Sequence, residues 1–210
     1  MDKQHEKEKL KFQVERIAFF SDAVIAIALT LLIIEIKAPK IETGSAFSDQ
    51  IAQLTHLVPE FISFIISFII ILLQWKKHHH LFGSIINYDE KLITLNSIFL
   101  FAIAIVPFST SYFAHNTSSE FYLPIIVYGS NLFILTVSNY LIFNHVANGK
   151  FKLIDDSLSV SQIKFLKIDY LLFPAAILIG ILTGLVNPRI GFVAYVLVLS
   201  IGSILNKAKK

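Results

Sequence analysis

Residues 19–36 read FFSDAVIAIALTLLIIEI, an almost wholly apolar segment in which Asp22 and Glu35 are the only charged residues. A helix needs about 20 mainly apolar residues to cross the hydrocarbon core of a bilayer. The segment therefore predicts a membrane span. The composition of the 210-residue chain agrees, because 55% of it is hydrophobic and 16% is charged, whereas soluble domains carry about 25% charged residues.

Five further segments have the same apolar character, so the sequence predicts an all-α membrane protein with six transmembrane helices. The spans are expected at about 19–36, 57–75, 92–114, 121–143, 165–186 and 190–206. These spans leave no room for a separate soluble domain. Residues 1–210 are therefore expected to form a single six-span transmembrane domain.

The distribution of lysine and arginine predicts the orientation of the chain. If the N-terminus is cytoplasmic, 15 of the 18 basic residues fall on cytoplasmic segments, and only Lys37, Lys40 and Arg189 fall outside. Cytoplasmic loops of membrane proteins carry an excess of basic residues. We therefore expect a multi-pass protein of the cell (plasma) membrane with both termini in the cytoplasm.

Three polar residues, Arg16, Ser21 and Asp22, lie at the start of the first span. Polar and charged residues inside spans usually face the bundle interior or a water-filled cavity, because lipid solvates them poorly. A plainer interpretation exists for each charge: Arg16 reaches the lipid headgroups, and Asp22 caps the helix near its N-terminus. Taken together, the three residues favour an interior polar network.

Other polar residues receive simpler interpretations. The three adjacent histidines at positions 78–80 raise the question of a metal site, because imidazole suits zinc and copper. Successive residues of a helix point about 100° apart, so three in a row do not readily share one ion. No metal site is predicted. Asp169, near the loop after the fourth span, is expected to face water.

The first span also carries an apolar stripe. Ile27, Leu31 and Ile34 follow one another at i, i+4 and i+7, and Thr30 borders them. Such spacing places side chains on one face of a helix. Most apolar helices contain a stripe of this kind, so the spacing alone does not identify a pore.

A motif changes that interpretation. Arg16 followed by Phe20-Ser21-Asp22 resembles the RxxxFSD signature of the TMEM175 family of potassium channels. The sequence WKKH at 75–78 is similar to the W-x-x-H element of that family, and Asn96 with PFS at 107–109 is similar to its third-helix pattern. The resemblance covers the first three spans, and the remaining spans agree by number, length and hydropathy.

The resemblance implies a potassium-permeable channel. It implies a homotetramer in which the first helix of each subunit lines a central pore, without a TVGYG filter. Ile27 would form the narrowest ring of an apolar constriction, Leu31 and Ile34 would lie further along the pore, and Thr30 would supply a layer of hydroxyl groups. Potassium would be the permeant ion, and no cofactor and no nucleic acid would be bound.

The resemblance also implies a role for the polar motif. Arg16, Ser21 and Asp22 would bond with Trp75 and His78 and hold the first helix in place.

Three other functions stay open on the residues alone. A small secondary transporter would need ionisable groups or broken helices at mid-membrane, and the spans lack central charges. An intramembrane enzyme would need a nucleophile with a base, or a metal cluster, and the sequence offers neither, so no enzymatic activity is predicted. Only the FSD motif argues against a third possibility, a non-conducting membrane scaffold.

Overall fold

The structure is a computed structural model that describes residues 2–116, 122–148, 153–154 and 160–187. Every regular element in these ranges is a helix, and an isolated bridge joins Ile85 to Ile154. The helices are α1 (Asp2–Ile34), α2 (Phe47–Thr55), α3 (Val58–Phe82), α4 (Glu90–His115), α5 (Leu123–Val146) and α6 (Val160–Val186). The span expected at 190–206 lies outside the described residues.

Five helical segments of the described chain are long and apolar enough to cross a membrane. They are 8–34, 47–82, 90–115, 123–146 and 161–186, which coincide with the first five predicted spans. The all-helical, multi-pass character expected from the sequence is confirmed at this level. The short helix α2, which directly precedes α3, was not among the predicted elements.

The first helix is much longer than the span predicted within it. It begins at Asp2, so the charged N-terminal segment and the apolar span predicted from about residue 19 form one helix of 33 residues. Residues 2–18 contain no Gly or Pro and are rich in Glu, Lys and Gln, which favour helices. A helix of this length measures about 50 Å, against a hydrocarbon core of about 30 Å. Part of α1 therefore extends beyond the hydrocarbon.

The helices α1, α3 and α5 all pack against α4, and α6 packs against α5. The core between them contains fully buried apolar side chains such as Ile71, Phe99, Ile103, Leu132 and Leu135. In a bilayer, close packing and interhelical hydrogen bonds stabilise such bundles, because lipid is as apolar as the core. The position of α4 at the centre of the bundle makes it the main support of α1.

Buried polar side chains connect the helices of the bundle. The Ser67 hydroxyl on α3 lies 2.8 Å from the hydroxyls of Thr110 on α4 and Tyr128 on α5. Asn139 on α5 donates a hydrogen bond of 2.9 Å to the Gln74 side-chain oxygen on α3. These contacts fix the relative rotation of α3, α4 and α5.

The expectation that Asp169 faces water is wrong. The Lys77 ammonium on α3 lies 3.0 Å from an Asp169 carboxylate oxygen on α6, and both side chains are only 14% exposed. The same ammonium donates to the Asp169 carbonyl at 2.8 Å and lies over the rings of Tyr170 and Phe173. Asp169 therefore joins two helices instead of meeting solvent.

Candidate functional site: the first helix and its polar network

The helix α1 has one buried face in the apolar part of its length. Ser21, Ile25, Ala28 and Leu32 are at most 2% exposed. Their spacing of four, three and four residues puts them on one side of the helix. This side faces α3 and α4, which are the helices that pack against α1.

The four residues that the sequence analysis assigns to the pore lie on the opposite face. Ile27, Leu31 and Ile34 are 59%, 42% and 67% exposed, and Thr30 is exposed as well. The Thr30 hydroxyl donates to the Ile27 carbonyl at 2.8 Å. In the isolated chain these side chains form an apolar, one-sided surface with a single hydroxyl group in it.

Asp22 on α1 is hydrogen-bonded to α3. The Trp75 indole N–H donates to a carboxylate oxygen of Asp22 at 2.8 Å. The other carboxylate oxygen lies 3.7 Å from Nδ1 of His79, whose ring packs against the Trp75 ring at a centroid distance of 5.3 Å. The Asp22 carboxylate thus has partners on α3, one turn apart.

Ser21 belongs to a second, fully buried chain of hydrogen bonds. The Asn96 amide on α4 donates to the Ser21 hydroxyl at 2.9 Å, and that hydroxyl donates to the Ile17 carbonyl at 2.8 Å. His78 on α3 lies 2.8 Å from the Asn96 side-chain oxygen through Nε2. Because a carbonyl oxygen only accepts, Nε2 must be the protonated nitrogen. The rings of Phe82 and Phe99 stack on the His78 ring.

Asn96 belongs to the polar network in the structure but is not among the residues predicted for it. Its side chain is 4% exposed, and it connects α1, α3 and α4 by bonding to Ser21 and His78. The sequence contains a signal for it, because an asparagine at mid-helix in an apolar span needs a partner. The neighbouring histidines 78 and 79 have different partners, since His78 bonds to Asn96 and His79 lies 3.7 Å from the Asp22 carboxylate.

Arg16 lies outside this network. Its guanidinium is exposed and donates a long hydrogen bond of 3.5 Å to the Gln13 side chain on the same helix. It lines a groove of about 360 Å³ between α1 and α4, together with Phe20, Asn96 and Ser97. The structure therefore brings together Ser21, Asp22, Trp75 and His78, and it leaves Arg16 on another surface.

The residues of the network lie inside the part of the chain that matches a known family. The family described as the endosomal/lysosomal potassium channel TMEM175 matches residues 16–107, from Arg16 on α1 to Pro107 on α4. Over this part of its length, the chain is similar to the TMEM175 family. All the residues assigned to the pore and to the network fall within it.

Two bacterial relatives extend the comparison with the TMEM175 family. A protein of Chryseobacterium sp. (strain P1-3) named a potassium channel is 32% identical over 136 residues, which are 62% of this chain and 63% of the relative. A protein of Chamaesiphon minutus, also named a potassium channel, is 38% identical over 102 residues, or 47% of this chain and 48% of the relative. The match spans 63% and 48% of the lengths of these two relatives.

The fold is also that of a TMEM175 structure. The chain resembles the crystal structure described as a lysosomal potassium-selective channel TMEM175 homolog from Chamaesiphon minutus, with a TM-score of 0.78. The alignment covers 91% of this chain and 97% of that one at 22% sequence identity. The likeness therefore extends beyond the 16–107 match to the helices that follow it.

Proposed function

We propose that the chain is one subunit of a potassium-permeable cation channel and that α1 lines its pore. The observation that carries the proposal is the division of α1 into two faces within a TMEM175-family region. The motif residues Ser21 and Asp22 bond to the neighbouring helices, and Ile27, Thr30 and Ile34 point away from them. A helix held on one side and free on the other is suited to face a central axis.

The proposed constriction is apolar. Several copies of Ile27 around one axis form a narrow collar, with rings of Leu31 and Ile34 nearer the outer end. Hydrophobic constrictions in channels close by dewetting, so a small rotation of α1 would open or close the path. The Thr30 hydroxyls would offset part of the dehydration cost of a cation. Potassium holds its water less tightly than sodium does, and the selectivity would follow from this difference.

The polar network has a mechanical role in this proposal. Asp22 with Trp75, and Ser21 with Asn96 and His78, set the rotation of α1 about its own axis. Because Ile27 and Thr30 lie on the same rigid helix, that rotation decides which side chains face the axis. Arg16 lies outside this network and bonds to Gln13 on its own helix.

Assembly follows from the same geometry. A single α1 cannot enclose a pore, so several subunits must surround the axis, and we propose four. Each subunit would be one domain over residues 1–210, with six spans and both termini in the cytoplasm of a plasma membrane. The predicted placement of the second and fourth connections on the same side of the membrane is supported by the hydrogen bond of 2.9 Å from the Ile86 N–H to the Leu153 carbonyl, which joins the α3–α4 connection to residues after α5.

The channel needs no cofactor and no chemical step, since potassium is the permeant ion. The competing functions are a small secondary transporter and a non-conducting scaffold. In neither of these functions does the exposed face of α1 line a path for downhill ion flow. Flux measurements distinguish the channel, the transporter and the scaffold.

The test is flux through liposomes that contain the purified protein under a potassium gradient, with sodium as the comparison. We expect fast downhill potassium flux that requires no second solute and exceeds the sodium flux. Flux at carrier rates that depends on a coupled ion would instead identify a transporter. Absence of flux from correctly oriented, oligomeric protein would leave the scaffold as the function.

A further inference from the structure

Arg16 lies on the same line of α1 as the residues proposed for the pore. The helix runs from Asp2 to Ile34 without Gly or Pro, so each of its faces continues along its whole length. Arg16 and Ile34 are 18 residues apart, or about five full turns, and Ile27 deviates from their line by about 20°. Arg16 is exposed, as both isoleucines are. A rotation of α1 that turns Ile27 and Ile34 toward an axis therefore turns Arg16 toward the same axis.

The position of Arg16 along α1 is that of the mouth of the path rather than its constriction. Arg16 is the last charged residue before the apolar span, and about 16 Å of helix separates it from Ile27. At this boundary the pore of the proposed assembly opens into water. A guanidinium keeps its charge at any ordinary pH, and in a water-filled entrance it needs no paired anion.

The charge of Arg16 is not cancelled by an acidic side chain of the described residues. None of the ion pairs in that part of the chain includes Arg16, and its hydrogen bond of 3.5 Å goes to the uncharged Gln13. Glu15 points about 100° away around the helix. The Asp22 carboxylate, which lies closer to the constriction, bonds to Trp75 on α3. The charge that α1 presents to the axis at this level is therefore positive.

We propose that the Arg16 side chains of all subunits form a ring of positive charge at the N-terminal mouth of the pore, and that this ring limits the entry of cations from that side. The inference rests on the proposed function, which supplies the axis and the assembly around it. Positive charge in a confined entrance lowers the local concentration of cations. Cations that arrive from the other side meet the ring only as they leave. The wild type therefore passes more current toward the N-terminal side than away from it.

The first experiment records single-channel currents of the full-length protein in planar bilayers with equal potassium chloride on both sides. In about 10 mM salt, where the Debye length is about 30 Å, Arg16→Gln should raise the current that enters from the N-terminal side about threefold. Arg16→Lys should match the wild type, and Arg16→Glu should exceed Arg16→Gln. These differences should disappear in about 1 M salt, where the Debye length is about 3 Å. The control is Lys11→Gln, because Lys11 is an exposed cation about 140° from Arg16 around the helix.

Cysteine substitution allows the charge to be restored from one side of the bilayer, since the chain has no native cysteine. Arg16→Cys should carry the larger current of Arg16→Gln. A cationic methanethiosulfonate reagent on the N-terminal side should return that current to the wild-type value, and an anionic reagent of the same type should raise it further. Lys11→Cys should respond to neither reagent.

A measurement without ion flux separates this inference from the proposed channel. In detergent, a short bifunctional thiol reagent should link Arg16→Cys between copies of the chain and should leave Lys11→Cys unlinked. The ring is overturned if Arg16→Cys forms no such links, or if the wild type conducts and Arg16→Gln carries the same current in dilute salt. Links between copies in a protein that passes no potassium would instead overturn the proposed channel, and with it the effect of Arg16 on conductance.

Discussion

Trp75 and Asp22 are joined by a hydrogen bond of 2.8 Å although 53 residues separate them in the sequence. The bond fixes α1 to α3 at the point where the apolar span of α1 begins. Ser21, the neighbour of Asp22, is fixed to α4 through Asn96 in the same way. Two successive residues of α1 thus bond to two different helices, and together they determine how α1 is rotated.

Asn96 is the residue on which the buried half of this network depends. Replacing Asn96 with Leu leaves the His78 Nε2–H buried without its acceptor, which costs about 1–3 kcal/mol, while Ser21 keeps its bond to the Ile17 carbonyl. We expect Asn96→Leu to lower the free energy of unfolding by about 1–3 kcal/mol, measured by denaturation in detergent. The control is Ser97→Ala, because the exposed Ser97 hydroxyl bonds only to the backbone of its own helix, at Ile93. Equal stability of the two variants would show that the network contributes little.

The sequence predicted the parts of this fold that depend on local composition. Each of the first five apolar segments coincides with a helix able to span a membrane. The FSD motif also predicts that Ser21 and Asp22 bond to neighbouring helices, because polar residues in an apolar helix require partners. Trp75, which the family resemblance groups with them, bonds directly to Asp22, whereas His78 is connected to Ser21 only through Asn96.

Features that depend on helix packing could not be predicted in the same way. Lys77 and Asp169 are common residues for the ends of spans, and nothing local distinguishes a paired aspartate from a solvated one. Arg16 belongs to the same motif as Ser21 and Asp22, yet the face of α1 on which it lies separates it from their partners.

The exposed isoleucine Ile27 is the first residue to test in the proposed pore. Replacing it with Ser removes the apolar collar and favours a wetted path. We expect Ile27→Ser to raise the resting potassium flux into liposomes several-fold. The matched control is Ile33→Ser on the same helix, since Ile33 is also exposed (46%) but lies about 120° away from Ile27 around the helix. If both variants leave the flux unchanged, Ile27 does not form the constriction.

Thr30 is the hydroxyl group within the exposed apolar stripe. Replacing it with Val keeps the shape and removes the oxygen that could contact a partly dehydrated cation. We expect Thr30→Val to lower the preference for potassium over sodium, seen as a shift of the reversal potential under mixed-ion gradients. Thr94→Val is the control, because Thr94 on α4 is exposed and makes a similar bond to its own backbone, at Glu90. Reversal potentials that match the wild type would remove Thr30 from the selectivity mechanism.

The lowered pKa of Asp89, the residue that precedes α4, leads us to expect that the stability of the folded protein depends on pH. Partial burial disfavours the charged form of this carboxyl and by itself would raise its pKa. The opposing effects are larger: hydrogen bonds from the Leu92 N–H and from His145, and the positive charges of His145 and Lys91. Together they lower the pKa of Asp89 below its ordinary 3.8. A lowered pKa in the folded state means that the unfolded chain binds the proton more readily. The stabilisation is therefore complete well above pH 3.8 and is lost as the pH falls through the lowered value.

The variant that isolates this charge is Asp89→Asn. Asparagine caps helices about as well as aspartate does, so the bond to the Leu92 N–H is kept while the charge is lost. We expect a lower unfolding midpoint than the wild type at neutral pH and a difference that shrinks as the solution is made acidic. Asp49→Asn, on the exposed helix α2, serves as the control. A difference that stays constant with pH would contradict the proposed contribution of the charge.

Because Lys77 and Asp169 form an ion pair, we expect a single substitution to lower the free energy of unfolding more than replacement of both residues does. Asp169→Asn removes the carboxylate that lies 3.0 Å from the Lys77 ammonium, and removing one partner of a buried ion pair typically costs about 3–5 kcal/mol. Replacing both residues, with Met at 77 and Leu at 169, removes the need for pairing and should recover most of that loss. The control is Lys76→Met, because Lys76 is exposed. The coupling energy between the two residues follows from denaturation in detergent of the wild type, Lys77→Met, Asp169→Leu and the variant that combines these two changes. A coupling near zero would mean that the packing of Tyr170 and Phe173 around the Lys77 stem, rather than the charge pair, holds α6 against α3.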